Sequence, residues 1–481
     1  MSTIITIAKT PITSAPKKYC RIVLTEESAN SHRFVETTDG TLEYRQGIGK
    51  FADVTVRTFR TMLRSLVQAA KGHQIEHIAL SLDRASFPKL HDYDETWFAS
   101  TIAENLALAA YDFTVYKSKS ESKKSLKEIA IHGPHAHEAL EGFKRGLIVA
   151  EYTNAARDIA NTHGDDLTPK ALASAAKKMA SGSGVTVKVL GLADIKKQKL
   201  NLVEAVGKGS HNEPQFIVME YWGKGKGKLK RENGKGNDDE RPIVLIGKGI
   251  TYDTGGLNVK PSGAMHDMHM DMSGGSSVMA AIVAAATLGV QKNIIALIPA
   301  AENAISSTSM RAGDIVTSLS GTTVEILHTD AEGRLVLADA LTYSERYKPC
   351  AIIDVATLTG AALVALGQQA SAIMTKDTEL ETTLRILSEE SGDLVWPLPL
   401  WDEYKGPLKS ARADISNIAT NFAKWGGCIE GGMFLAAFAP KNVPWAHIDM
   451  APRMESVPSD KLAKGSTGEP VRLLIKFLET Y

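Results

Sequence analysis

The chain has 481 residues, 55 basic and 55 acidic side chains, and no formal net charge. With 43% apolar and 23% charged residues it sits near the globular average, which excludes a disordered or fibrous chain. Its length suits two or three domains with large cores, and its balanced charge gives no electrostatic reason to expect nucleic acid or an anionic membrane as a partner.

Cys20, Cys350 and Cys428 are odd in number and far apart, so they form neither a disulfide framework nor a CxxC metal site. They read as reduced thiols. Met1–Lys18 has no basic region followed by an apolar core, and no run approaches the roughly 18 apolar residues of a membrane helix. The expectation is a cytoplasmic chain without a membrane partner.

Taken in chain order, the first 130 or so residues alternate strand-like and helix-like runs, the mark of an α/β domain. Tyr19–Leu24, His77–Leu82 and Asp112–Tyr116 read as strands. Val56–Lys71 reads as a helix, with Phe59, Met62, Leu63, Leu66 and Val67 at helical spacing. Lys117–Lys127 reads as a solvated turn. Pro134 then opens a helical pattern through Leu140, Phe143, Leu147, Ala150, Ala155 and Ile159, which is the expected connector between domains. Gly142 and Gly146 are the weak points of that helix. The expected division is residues 1–150 and 151–481.

Thr168 can cap a helix that Pro169 begins. Beyond it, Thr186–Leu190, Gln215–Tyr221, Ile243–Gly247, Asn293–Ile298 and Ala351–Val355 read as strands. Ile243–Ile246 is apolar on both faces, as a central strand covered on both sides should be. Val278–Ala286 and Gly431–Phe438 read as buried helices. The stretch 223–240 is rich in Gly and Lys and ends in acids, so a flexible exposed loop is favoured over a nucleic-acid finger.

Two clusters carry chemistry. Gly247–Gly256 is followed by Lys260 and Asp271; His328–Arg334 forms the second. Each begins where an apolar run ends (Ile243–Ile246 and Thr323–Leu327), and ligands gather at the carboxyl ends of strands in open α/β sheets. If the backbone stays extended, Asp330, Glu332 and Arg334 project from one face. Carboxylates so close repel unless a cation or proton lies between them. With two further aspartates and two lysines, the pattern points to a site for Zn²⁺, Mn²⁺ or Mg²⁺.

These segments resemble the leucyl aminopeptidase family of dinuclear metallopeptidases (cytosol aminopeptidases, peptidase family M17). The family's Asn-Thr-Asp-Ala-Glu-Gly-Arg signature is matched by His328–Arg334 except at His328. Its Lys-Gly-x-x-x-Asp-x-Gly-Gly element is matched by Lys248–Gly256. Leu335–Leu341, Ala356–Gly360, Trp445–Asp449 and Gly465–Gly468 extend the likeness over about residues 150–481.

The resemblance implies two α/β domains joined by a helix, the first (1–150) serving assembly or regulation. The larger C-terminal catalytic domain would have a mixed central sheet and a dinuclear site. It implies metal ligands at Lys248, Asp253, Asp271, Asp330 and Glu332, with Asp253 and Glu332 bridging. Lys260 and Arg334 take the catalytic positions, Lys260 facing the developing negative charge and Arg334 holding bicarbonate as proton shuttle. Lys248 can ligate only as a neutral amine. Met268, Thr357, Gly360 and Ala451 match the pocket for the substrate's first side chain. The implied cofactors are two divalent ions, Zn²⁺ and/or Mn²⁺. The implied partners are peptides with an apolar, Leu- or Met-like N-terminal residue, and five further copies of the chain in a homo-hexamer.

His328 is expected to support the ligand loop rather than bind metal. His266 and His269 resemble an HxxH motif but read as surface or packing residues, and His132, His135 and His137 as solvated. A nucleic-acid-binding regulator built on the same aminopeptidase scaffold is the rival reading, with only the 223–240 loop in its favour. A dinucleotide or Walker site is disfavoured, because the third glycine and the phosphate lysine are missing.

Overall fold

The computed structural model describes residues 3–8, 10–29, 31–118, 126–133, 137–225, 241–422 and 425–481. The chain divides into two compact units: Met1–Asn154 with Ser456–Lys464, and Ala155–Glu455 with Gly465–Tyr481. Both are α/β. No helix among the described residues is long and apolar enough to cross a membrane.

In the first unit, strands β1 (Ile4–Ala8), β2 (Cys20–Thr25), β3 (His32–Glu36), β4 (Leu42–Gly47), β5 (His77–Ser81) and β6 (Glu128–His132) form one sheet. Its order is β1-β6-β5-β2-β4-β3, parallel except for the β3–β4 hairpin pairing. Helix α1 (Val56–Gly72) starts at a capping box on Thr55 and buries Phe59, Leu63, Leu66 and Val67, the predicted stripe. Helix α2 (Glu95–Ala110) and helix α3 (His137–Ala160) complete the set.

Two expectations fail here for local reasons, and the weak points of the predicted helix prove sound. Asp112–Tyr116 is not a strand; β5 pairs instead with β6, whose Ile129 and Ile131 are buried, while Val115 is 71% exposed. Helix α3 runs through Gly142 and Gly146 without a break. A Cβ at these positions would lie 2.1 Å from Thr96 O and 2.2 Å from Ser100 O, so the glycines let α2 and α3 touch backbone to backbone. His132 is buried rather than solvated, its Nδ1 2.7 Å from Thr10 O. His137 is exposed, and His135 lies outside the described residues, as do 119–125 of the predicted Lys-rich turn.

The second unit is built on a nine-stranded mixed sheet among the described residues. Its strands are β7 (Thr186–Leu190), β8 (Gln215–Trp222), β9 (Ile243–Gly247), β10 (Gly249–Asp253), β11 (Asn293–Asn303), β12 (Ala351–Ala356), β13 (Ser371–Thr375), β14 (Val395–Pro397) and β15 (Trp445–Asp449). The order is β14-β13-β15-β12-β9-β11-β8-β7, with β10 paired to the far end of β11. The central strands β15, β12, β9 and β11 are mutually parallel and buried on both faces, as Ile243–Ile246 predicted.

Helix α4 (Pro169–Ala180) begins at the Thr168 cap, whose side chain accepts from Ala171 N. Helix α5 (Ser273–Thr287) contains the Ala-rich run and is buried along nearly all its length. Its glycine-rich start lies against the sheet: a Cβ on Gly247 would fall 2.5 Å from Gly274 O, and one on Gly274 would fall 2.1 Å from Val355 O. Helices α6 (Gly333–Ser344), α7 (Gly360–Leu366) and α8 (Gly427–Ala436) stand near the site described below.

Candidate metal centre

The carboxyl ends of the central strands converge on one place. Lys248 lies in the single-residue step between β9 and β10, Asp253 ends β10, Thr357 follows β12, and Asp449 ends β15. The second cluster arrives differently from the extended-strand expectation. The backbone turns at Thr329–Asp330, Glu332 occupies the N-cap of α6 with helical dihedrals, and Arg334 sits in the first helical turn. Asp330, Glu332 and Arg334 therefore do not share the face of a strand. The turn delivers both carboxylates to the site because Gly333 admits the helix start close against Lys248.

Lys248 is almost wholly buried, and its Nζ lies 2.8 Å from both oxygens of Asp271 and 2.9 Å from Glu332 Oε1. It also donates to Thr357 O at 3.0 Å. Lys260 Nζ reaches Asp253 Oδ2 at 2.8 Å and Asp330 Oδ1 at 2.6 Å. One oxygen each from Asp253, Asp330 and Glu332 lie within 4.8 Å of one another. The structure thus brings together all five predicted ligands and Lys260.

Four carboxylates meet two ammonium groups, which leaves an excess of two negative charges. With only the protein's own charges acting, burial opposes the Lys248 charge. Asp271, Glu332 and Asp253 outweigh it and hold the amine well above the ordinary lysine range. Lys260 is raised in the same way, with burial opposed chiefly by Asp253 and Glu332. Burial pushes Asp271 upward, Lys248 opposes that, and Glu332 and Asp253 reinforce it. Asp271 Oδ2 and Asp330 Oδ1 are buried and accept no hydrogen bond, although each faces an ammonium at ion-pair distance. Oxygens crowded, charged and short of hydrogen bonds in this way fit divalent cations.

Arg334 is buried and donates from Nη1 to Asn417 O at 2.6 Å, whereas its Nε makes no hydrogen bond. Burial lowers its pKa against the field of Glu430, Glu332 and Asp449. Three of the four predicted pocket positions, Thr357, Gly360 and Ala451, lie on segments tied to Asp449. Its Oδ1 accepts from Leu358 N, Thr359 N and Ala451 N, which draws the Thr357–Gly360 turn towards Ala451. Thr357 Oγ1 is committed to Asp271 Oδ1 at 2.7 Å. Gly360 faces open space, and Met268 is half-buried in a 3-10 turn three residues before Asp271.

Several supporting residues escaped sequence reasoning. Asn303, at the end of β11, donates to Asp253 Oδ1 at 2.8 Å and Thr329 O at 3.1 Å. Asn417 accepts from Leu327 N and His328 N and donates to His328 O, clamping the ligand loop. Thr329 and Asn258 tie that loop to the Gly255 turn. The one available signal was position: Asn303 ends an apolar strand just as Asp253 does. His328 Nδ1 accepts from Asp330 N at 3.2 Å, so the imidazole supports the ligand loop. His266 is exposed, and His269 packs against His163, with burial and His163 pushing its pKa down.

Comparison with known proteins bears on the family and the fold. The sequence matches the cytosol aminopeptidase family, catalytic domain, over residues 154–475 and the same family's N-terminal domain over residues 47–120. A probable cytosol aminopeptidase of Azoarcus sp. (strain BH72) is 40% identical over 436 residues, 90% of this chain and 83% of the relative. One from Roseiflexus castenholzii (strain DSM 13941 / HLO8) is 39% identical over 441 residues, 90% of this chain and 86% of the relative. Among solved structures, the bottromycin maturation enzyme BotP in complex with Mn has a TM-score of 0.82 at 30% identity. That superposition covers 99% of this chain and 98% of BotP.

Proposed function

The chain belongs to the cytosol aminopeptidase family, and from that premise we propose that it removes N-terminal residues from peptides at a dinuclear centre. The ions are held by Lys248, Asp253, Asp271, Asp330 and Glu332. The observation that carries this reading is the convergence of those five side chains with Lys260, two of the carboxylate oxygens being buried without a hydrogen bond. The fold and family make the chain a metallo-exopeptidase of the hydrolase class.

When bound, the two ions polarise the scissile carbonyl and acidify a shared water. Asp253 and Glu332 would be shared between the two ions. Lys248, held between Asp271 and Glu332, would serve as a ligand only as the neutral amine. Lys260, steadied by Asp253 and Asp330, presents its ammonium to the negative charge that develops on the carbonyl oxygen. Arg334, fixed by Asn417, keeps its Nε–H available, and that donor would hold a bicarbonate ion, whose chemistry would be proton transfer. Met268, Thr357, Gly360 and Ala451 receive an apolar first side chain, Leu or Met.

Zn²⁺ and Mn²⁺ are the metals this donor set favours, and BotP was solved in complex with Mn. A cytoplasmic homo-hexamer, with the N-terminal unit serving assembly, completes the proposal; sedimentation of the purified chain tests it. The regulator reading has no observation in its favour, because residues 226–240 of its loop lie outside the described residues.

The deciding experiment measures metal content and turnover of an aminoacyl substrate panel for the wild type, Asp253→Ala and Glu332→Ala. Both variants should lose metal and activity together. Near-normal turnover in either one sinks the assignment.

A further inference from the structure

A cavity of about 790 Å³ opens at the end of β15 remote from the metal centre. Trp445 begins that strand and lines the cavity, whereas Asp449 ends it beside the centre, roughly 13 Å further along the strand. Leu408, Met433 and Trp445 are the buried part of the lining, with Ala436, Val443 and Pro444 half-buried around them. Helix α8 reaches the cavity with Ala436 and Ala437, whose small side chains leave the space open. Size and apolar lining are those of a site for a small organic molecule.

The charges around it have one sign to spare. Lys376, Lys405, Lys409 and Lys441 all line the cavity. Lys376 and Lys405 both pair with Asp402. The two acids of the lining are turned to the protein's own donors. Asp377 caps the helix Thr378–Ser391 and accepts from Leu380 N at 2.8 Å, while Asp414 accepts from Thr323 N and Thr323 Oγ1, each at 2.8 Å. Lys409 and Lys441 are exposed and have no counter-ion among the described residues. A lysine lays its stem along an apolar wall and keeps its ammonium in water, so these two extend the apolar lining and place positive charge at its edge.

We propose that this cavity binds one small amphipathic carboxylate, its aliphatic body against Leu408, Met433 and Trp445 and its anionic head at Lys409 and Lys441. A cation of the same shape meets four lysines there, and a neutral molecule leaves the two free ammonium groups unanswered. The site is separate from the metal centre and depends on neither its ions nor its activity. Its occupant nonetheless rests on an element of the catalytic region: α8 passes Arg334, where a Cβ on Gly431 would lie 3.5 Å from Nη2, before it reaches the cavity at Ala436.

Isothermal titration of the metal-loaded, full-length chain with decanoate, below its micellar concentration, tests this. The wild type should bind one decanoate per chain. Affinity should rise roughly fourfold for each methylene from hexanoate to decanoate, the change that corresponds to about 0.8 kcal/mol per buried CH₂. Lys409→Gln combined with Lys441→Gln removes the charge, and Ala437→Phe fills space from an exposed lining position; each should weaken decanoate binding tenfold or more. Near-ultraviolet circular dichroism verifies that both variants remain folded. A carboxylate bound at the metal centre would survive both changes, and a second copy of the chain seated over the cavity would leave the wild type without binding. Absence of saturable binding to the wild type, equal affinity for decylammonium, or unchanged affinity in either variant overturns the proposal.

Discussion

Gly333 leaves the space that Lys248 occupies: a Cβ at position 333 would fall 2.6 Å from Lys248 Cε and 2.8 Å from its Nζ. The lysine head cannot simply swing away, because Asp271, Glu332 and Thr357 O hold it at 2.8–3.0 Å. At the first position of a helix, Gly→Ala would by itself be favourable by up to about 1 kcal/mol. Gly333→Ala should therefore leave thermal stability within a few degrees of wild type yet weaken metal binding tenfold or more. Competition with a chelator measures this; unchanged affinity would show that Lys248 does not need its observed position.

Asn303 bonds at once to Asp253 and to the carbonyl of Thr329, next to Asp330. Groups that orient a metal ligand typically contribute 10–100-fold to affinity. Asn303→Ala should lose about that factor. Asn303→Asp should lose more, since a second carboxylate replaces a donor beside Asp253. Dissociation constants for Mn²⁺ from isothermal titration rank the three proteins, and the order wild type, Ala, Asp is the expected one.

Lys260→Met separates charge stabilisation from metal holding. The variant keeps most of the side-chain volume and removes the ammonium that lies 2.8 Å from Asp253 and 2.6 Å from Asp330. Turnover should fall by about 10²–10³, the usual effect of deleting one donor to a developing oxyanion. Metal affinity should hold or rise, because the carboxylates lose a competing cation. A parallel loss of metal and activity would instead make Lys260 a structural counter-ion.

The same residues show how far the sequence alone reaches. The strand Ile243–Gly247 and the ligands that follow it are legible, because a short apolar run closing on glycines is rarely anything but a buried strand opening into a turn. The DxExR spacing misleads on geometry, since the turn at Thr329–Asp330 and the cap at Glu332 replace an extended strand. Asn303, Asn417 and Asp449 are unreadable as site residues. Each is a lone polar side chain in the sequence, and its partner lies 50 to 91 residues away. Only strand pairing, such as Asp253 with Asn303, makes such residues neighbours. Gly142 and Gly146 stand out in the sequence but point the wrong way, because close helix contact cannot be told from a break without the second helix.

Asp354 and His447 carry a prediction about pH. They face each other on the paired strands β12 and β15, both fully buried, with Nδ1 2.5 Å from Oδ1 and Trp445 Nε1 donating to the other oxygen at 2.7 Å. Burial works against a charged imidazole, but Asp354 outweighs it and raises the His447 pKa above 6.5. A folded pKa above the unfolded value means that the folded state binds the proton more tightly. The stabilisation is thus complete below the unfolded value and fades as pH climbs through the raised folded value. Asp354→Asn removes the anion and keeps the shape, so its cost should be greatest near pH 5.5, of the order of 3–5 kcal/mol for breaking a buried pair. By pH 9 the gap to wild type should have narrowed. Denaturant unfolding of both proteins at the two pH values tests the sign: a gap that does not change with pH would mean that His447 is neutral in the folded chain throughout, and one that widens would overturn the raised pKa.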